Sequence, residues 1–360
     1  MLHVLAPARQ GGLERVVEML ALGQGRTGVH VASVVAPAEA TAHPFETKLR
    51  DARIPVTSIV VGARDYRREF QLLSELVESL RPRVVHTHGY RADVMGALLR
   101  RKFAIPHVST VHGFLGGRLR NRLYETIQLH VLRRASAVIA VSRPLVEQLG
   151  RAGIARKKIH LVQNGFSTGG SGLGREAARS ALQIKGSSLA AGWIGRLSRE
   201  KGPDIAVEAM ALGDSDWTLE MIGDGPTAPI LRRTVGELGL SERVHFHGEL
   251  PNAARYLAAF DAFILSSRTE GTPIALMEAM HAGIPIVATA VGGVPDVVSE
   301  DTALLVPTED PNAIARALHV LKSDPVGARL RSKAARIRID THFALSTWVD
   351  LHEAVYQAAG

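Results

Sequence analysis

Short apolar runs alternate along almost the whole chain with segments whose apolar residues recur every three to four positions. The first run, LHVLA at 2–6, reads as a short strand. Gly11 and Gly12 follow, and Leu13, Val16, Val17 and Leu20 then fall on one face of a helix. The same alternation predicts strands over 29–35, 83–86, 107–111, 137–141 and 159–162, with helices between them, one of them over 144–149 behind a Ser142 cap. At 167–174 the segment STGGSGLG carries no periodicity and reads as a flexible linker. The alternation then restarts. Strands are expected over 189–194, 217–222, 243–246, 262–265, 284–288 and 303–306, and helices over 203–211, 230–238, 273–282 and 311–322.

Strands separated by helices imply parallel sheets covered on both faces, because a parallel crossover must pass over the sheet. The expected fold is therefore α/β: two Rossmann-like doubly wound parallel-sheet domains facing across a cleft, with ligands beyond the carboxyl ends of the strands. The expected bounds are 1–166 for the first domain, 167–174 for the linker and 175–342 for the second. A last helix over 343–360 is expected to pack back on the first domain.

Composition narrows this picture. A length of 360 residues suits two domains. Only 5% of residues are aromatic against 46% hydrophobic, so Ala, Val, Leu and Ile must fill the cores. The absence of Cys excludes disulfides, thiolate metal sites and a Cys nucleophile. MLHVLAP is interrupted by Arg9, too soon for a signal-peptide core, and no apolar stretch nears the roughly 18 residues a membrane span needs. The expected location is cytoplasmic, with peripheral contact at most. The net charge of +8 is unevenly shared: residues 1–168 hold 25 Lys and Arg against 12 Asp and Glu, and the remainder 18 against 23. A basic first half suits phosphate-bearing partners or an anionic membrane face, and equally an ordinary solvated surface.

Four segments carry candidate chemistry. In SSRTEGTPIALMEAM a strand ends near Leu265, Thr272 can cap a helix with Pro273 in its first position, Glu270 precedes that helix and Glu278 lies on it. Two acids so placed can grip two hydroxyl-bearing parts of one ligand, and the free amides at the helix start suit phosphate or sugar oxygens. In WIGRLSREKGPD, Arg196 and Lys201 flank a loop that ends on the helix start at Pro203, a cradle for a diphosphate. Gly11 and Gly12 follow the first strand and allow close backbone approach. His112 ends a strand in TVHG. Each segment alone has a plainer explanation: solvated acids, exposed cations, a turn, a structural histidine.

Together these segments resemble the family 4 retaining glycosyltransferases of the GT-B fold. The likeness runs through GGLERVV, DVMGALL, VHGF, AVIAVS, VQNG, GRLSREKG, IGDGP, VHFHGEL, EGTPIALMEAM and GGVPDVV, in that order. It implies a hexosyl-type transferase that moves a sugar from a nucleotide diphosphate sugar to a glycan or lipid-linked acceptor in cell-surface polysaccharide or glycoconjugate synthesis. Glu270 and Glu278 match the family's E-x7-E pair, facing the transferred sugar and the ribose respectively. Arg196, Lys201, Gly11 and Gly12 would hold the diphosphate, and Gly271, Thr272, Pro273 and Ile274 the sugar or phosphate. His112 would lie near donor sugar and acceptor, and Gly223, Gly225, Gly248 and Leu250 would line the nucleobase side. The nucleotide sugar is a co-substrate. No cofactor, metal or nucleic acid is implied.

Three features look like other functions. Asp214-Ser215-Asp216 spells a metal-binding DxD, but at the amino end of a strand, where a turn is expected. His86-Thr87-His88 places two imidazoles on one strand face without an evident third ligand. The linker glycines only loosely imitate a dinucleotide fingerprint. The alternatives in play are a nucleotide-sugar epimerase or phosphorylase of the same fold, and a non-catalytic subunit that binds a nucleotide sugar.

Overall fold

The computed structural model describes residues 1–7, 12–25, 28–39, 43–62, 64–114, 119–167, 172–186 and 188–360, with only the backbone at 119–122. The chain divides into two compact units. The first is Met1–Gly165 with Leu345–Gly360, and the second is Phe166–Ala344.

The first unit holds β1 (Leu2–Leu5), β2 (His30–Val35), β3 (Val56–Val60), β4 (Val85–His88), β5 (His107–Val111), β6 (Ala137–Ala140) and β7 (Ile159–Leu161). They form one sheet in the order β3-β2-β1-β4-β5-β6-β7, and every pairing is parallel. The second unit holds β8 (Leu189–Ile194), β9 (Trp217–Ile222), β10 (Val244–Gly248), β11 (Ala262–Leu265), β12 (Ile286–Thr289) and β13 (Leu304–Val306). Its order is β10-β9-β8-β11-β12-β13, again all parallel. Counted within each unit, the second sheet runs 3-2-1-4-5-6 and the first runs the same way with a seventh strand added at the β6 edge. The direction of winding reverses between β1 and β4, and between β8 and β11. Such reversals splay the loops above them apart and leave a crevice at the carboxyl ends of the strands.

Burial on both faces explains the near-continuous apolar strands. In β11, Ala262 and Ile264 join one core with Trp193, Leu219 and Met221. Phe263 and Leu265 join the other, with Met277, Met280 and Ile286. This is the two-residue alternation of side chains across a sheet. Helices Pro203–Leu212 and Pro311–Ser323 supply apolar residues to the first core, and Ile274–Ala282 and Pro325–His342 to the second.

Several expectations shift. The strand expected over 83–86 is Val85–His88, paired from Leu2↔Val85 to Leu5↔His88, so both histidines lie inside the sheet. Polar His-Thr-His reads as the end of a strand, yet all three side chains are buried. β3 and the helix Pro325–His342 had no counterpart in the pattern. That helix buries Ala328, Ser332, Ala335 and Ile339, a helical spacing of small residues with little hydrophobic signal. Leu173, in the expected flexible segment, donates its amide to the Arg255 carbonyl at 3.0 Å and packs on the second unit's core. The closing helix Leu345–Ala359 belongs to the first unit and buries Trp348, His352, Val355 and Tyr356. Among the described residues no helix is long and apolar enough to cross a membrane.

Candidate active site

In the second unit the loops after β8 and β11 leave the sheet at its reversal point and are stitched together. Trp193 Nε1 donates to Ser266 Oγ at 3.1 Å, and Ser266 Oγ donates to the Gly202 carbonyl at 2.6 Å. Gly202 sits at φ 60°, where a Cβ would meet the Ser266 carbonyl oxygen at 2.1 Å. Only glycine lets the chain turn there into the helix that starts at Pro203. The turn delivers Lys201 to the second loop, where its Nζ donates to both Glu270 carboxylate oxygens at 2.8 and 2.9 Å. Ser267 Oγ adds a third donor to Glu270 at 2.6 Å. Glu270 is 5% exposed and Lys201 34% exposed, so the acid is fixed while the cation still reaches solvent. Arg196, on the loop leaving β8, is exposed.

Glu278 has a different setting. It lies on the helix Ile274–Ala282 and lines a cavity of about 230 Å³ with Asn252, Arg255, His281 and Phe166. Glu270 is not among the cavity's walls. The two acids of the E-x7-E pair therefore line different places in the second unit. The helix begins one residue later than expected: Pro273 is the N-cap, with no side-chain cap hydrogen bond, and Ile274 is the first helical residue. Thr272 does not cap because Pro273 already holds an extended φ −75°, ψ 113° at that position. The first amides of this helix, from Ile274 on, have no partner within it, and Thr272 and Pro273 link them to Gly271.

The glycines expected on the nucleobase side pack backbone against backbone. A Cβ on Gly223 would meet the Gly195 carbonyl oxygen at 1.9 Å, and one on Gly225 the Leu197 carbonyl oxygen at 2.4 Å. The Gly223 amide donates to the Gly248 carbonyl at 2.7 Å. Leu250, half-buried, packs on the second unit's core.

The sequence reading missed Arg268. Its guanidinium donates to both Asp204 oxygens at 2.7 Å and to Glu309 at 2.6 and 2.9 Å. It also donates to the Arg199 carbonyl at 2.9 Å. These contacts clamp the loop after β11 onto the loop after β8. Hydrogen bonds to Asp204 and then Glu309 push the guanidinium pKa up. Burial of Asp204 opposes ionisation, but the Arg268 pairing outweighs it and holds that carboxyl below its usual range. Nothing local in SSRTEG names partners 41 and 64 positions away.

In the first unit His112 follows β5, and Gly12 opens the helix Gly12–Gly23, which follows β1 in the chain. Gly11 lies outside the described residues. His112 is the end of a line of rings, with His88 Nδ1 3.4 Å from its Nε2 and His3 Nδ1 3.1 Å from His88 Nε2. The third imidazole beside His86 and His88 is thus His3, on a strand three earlier in the chain and adjacent in the sheet. Burial lowers all of these pKa values, His3 and His112 to about 4 and His86 and His88 well below 6.5. The rings are neutral near pH 7.

The DxD segment is a turn. Asp214 accepts from His319 at 3.1 Å and from Lys322 at 3.5 Å, and Lys322 also pairs with Asp216. Part of the basic surplus is likewise used structurally: Arg133 donates to the Ala152 carbonyl, and Lys158 to the Arg133 and Ala135 carbonyls. Arg118, and the side chains of Arg120 and Arg122, lie outside the described residues.

Two Rossmann-type sheets, one carrying a cation–carboxylate cluster beside a helix start at its reversal point, define the GT-B class of nucleotide-sugar-dependent transferases. The comparisons agree. The family model described as "Glycosyl transferase 4-like domain" matches residues 11–165, and that described as "Glycosyl transferases group 1" matches residues 189–324. The chain belongs to this glycosyltransferase family: it is an enzyme that uses a nucleotide-sugar donor. It is 28% identical over 295 residues to the 2-deoxystreptamine glucosyltransferase of Streptomyces kanamyceticus, covering 76% of each chain. It is 28% identical over 309 residues to a D-inositol 3-phosphate glycosyltransferase of Catenulispora acidiphila, covering 77% of this chain and 72% of that one. Its fold superposes on Anabaena HepE in complex with UDP-glucose with a TM-score of 0.89, at 21% identity and 99% coverage of both chains.

Proposed function

We propose that this glycosyltransferase transfers its sugar with retention, to a glycan or lipid-linked acceptor used in cell-surface polysaccharide or glycoconjugate synthesis. The observation that carries the site assignment is Lys201 bridging to the nearly buried Glu270 at the reversal point of the second sheet, on the same β8 loop that carries exposed Arg196. As the glycosidic bond to the donor breaks, negative charge builds on the departing diphosphate. Arg196 and Lys201 stabilise that charge more in the transition state than in the ground state. Glu270, held by Lys201 and Ser267, orients the transferred sugar. Glu278, on its own cavity, takes the ribose hydroxyls. The amides of Gly271, Thr272 and Ile274 meet sugar or phosphate oxygens, with Pro273 contributing shape but no donor.

Retention follows from attack on the face the phosphate leaves, with that phosphate accepting the acceptor's proton. The donor set supports this route over a covalent glycosyl-enzyme, because Glu270 is committed to a lysine and a serine rather than poised as a nucleophile. The same cations do the charge neutralisation that a metal performs in other transferases, so the reaction is metal-independent in this reading. The acceptor meets the first unit, whose surplus of basic residues suits a phosphate-bearing acceptor and peripheral contact with an anionic inner membrane.

Incubation with UDP-glucose, then GDP- and ADP-sugars, against polyol, glycan and polyprenyl-phosphate acceptors tests this reading. Proton NMR of the product reports the anomeric configuration. An α-linked product from an α-donor, unaffected by chelator, is expected. An inverted product would remove the retaining assignment, and chelator-sensitive turnover the metal-independent one.

A further inference from the structure

The ring nitrogens of His3, His86 and His88 lie within 4.8 Å of one another, close enough to hold a metal ion. They are equally placed to form a hydrogen-bonded chain of neutral rings. Following the protons separates the two. Gln24 Nε2 lies 3.3 Å from Glu353 Oε1 and 3.3 Å from the Tyr356 hydroxyl. A carboxylate only accepts, so the Gln24 amide nitrogen must face it, and Oε1 must face His3 Nε2 at 2.9 Å. That oxygen also only accepts, so His3 carries its proton on Nε2 and presents a bare Nδ1. His88 Nε2, 3.1 Å away, must then donate, which leaves His88 Nδ1 bare. His112 Nε2, 3.4 Å from it, must donate in turn. On the side branch, the Tyr356 hydroxyl accepts from Gln24 and gives its proton to His86 Nδ1 at 2.8 Å, so His86 Nε2 donates to Thr110 Oγ1 at 2.8 Å. Every ring nitrogen of His3, His86 and His88 has one proton or one acceptor role, with none left over for a metal.

We propose that Gln24, His3 and His88 are positioning residues that fix His112 in the tautomer with Nε2 protonated and Nδ1 bare, so that His112 accepts a hydrogen bond from a hydroxyl of the bound sugars. This rests on the reading that places His112 beside donor sugar and acceptor. No proton is transferred along the chain; it sets which way His112 can bond. The burial that keeps these rings neutral preserves the order, since an added proton would remove an acceptor from the line. Without the Gln24 anchor both neutral tautomers of His3 are open, and so are both of His112.

The test uses the full chain labelled with ¹⁵N at histidine. In the wild type, His112 should show a protonated-type Nε2 and an unprotonated-type Nδ1 near neutral pH. Gln24→Leu, which reaches His112 only through two other rings, should average the two shifts. It should also lower kcat by about tenfold while leaving donor Kd within about twofold. Exchanging the roles in Gln24→Glu with Glu353→Gln keeps an acceptor facing His3, and should restore both the spectrum and kcat. A protonated Nδ1 on wild-type His112, a spectrum unmoved by Gln24→Leu, or stoichiometric metal whose removal shifts the His3, His86 and His88 resonances would each overturn the relay. Expected spectra together with wild-type turnover in His112→Ala would uphold the relay and overturn the placement of His112 at the sugars.

Discussion

In the first unit the reversal point between β1 and β4 is filled by neutral rings: His3, His86, His88 and, beyond β5, His112. In the second unit the corresponding point between β8 and β11 carries formal charges: Lys201 on Glu270, and Arg268 on Asp204 and Glu309. Strand order is the same, so topology alone does not choose the chemistry. The neutral cluster is nearly sealed from water, where a charge would be costly. The charged cluster sits on loops with part-exposed cations, where charge is tolerable and can meet a diphosphate. In the proposed function the first cluster would orient hydroxyls and the second would stabilise a developing anion.

Acid should break this contrast most strongly. Eight histidines of the first unit have folded pKa values below their ordinary 6.5, from burial first, and six of them (His3, His86, His88, His107, His112 and His352) are shifted most strongly. As pH falls below 6.5 the unfolded chain takes up protons that the folded unit refuses. Each such histidine then costs about 1.4 kcal/mol of stability per pH unit, down to its folded pKa. Asp93, pushed up to about 6 by burial, and Glu69, also raised by burial, act in the opposite sense but are outnumbered. In the second unit, burial of Glu220 is outweighed by His245 and His247, which hold it at about 2, so its contribution is kept until pH falls below about 4.5. Its hydrogen bond raises His245, whose contribution is fully present below 6.5. Hydrogen exchange at pH 7.5 and 5, corrected for intrinsic rates, should therefore show β1, β4 and β5 losing protection while β8, β9 and β11 keep theirs. Equal loss in both units would contradict the contrast.

Lys201→Ala comes next. Steady-state kinetics should show kcat/KM reduced by about 10²–10³, the cost of losing one preorganised charge at a developing anion. The far-UV spectrum should be unchanged. Arg268→Ala should lower unfolding free energy in denaturant by about 1–2 kcal/mol, because its partners are half-exposed and solvent screens them. It should also raise KM for the donor by loosening both loops. The smallest effect is expected from Asp214→Ala combined with Asp216→Ala. This surface pair holds His319 and Lys322, so the denaturant midpoint should not move and turnover should not change. Loss of turnover there would revive a metal-binding DxD.

The apolar runs of β6, β8 and β11 made the two parallel sheets legible, since strands buried on both faces announce themselves as continuous hydrophobic segments. Polar interior was not legible. His86 and His88 looked like a strand's end because nothing in the linear pattern shows that His3 and Tyr356 satisfy their region. The helix Pro325–His342 escaped notice because its buried stripe is Ala, Ser and Ala before Ile339. At the site, Lys201, Glu270 and Glu278 stood out through motif spacing. The clamp by Arg268, and the division of the two acids between a loop junction and a cavity, depend on contacts distant in the chain.

Calorimetric titration of UDP, with GDP and ADP in parallel, into the wild type and the Arg196→Ala, Lys201→Ala and His112→Ala variants measures where the diphosphate is held. Each second-unit substitution should weaken the preferred nucleotide about tenfold or more, near 1.4 kcal/mol, and flatten its salt dependence, while His112→Ala stays within about twofold. Nucleotide affinity untouched by Arg196→Ala and Lys201→Ala alike would contradict the assignment of the charged reversal point as the donor site.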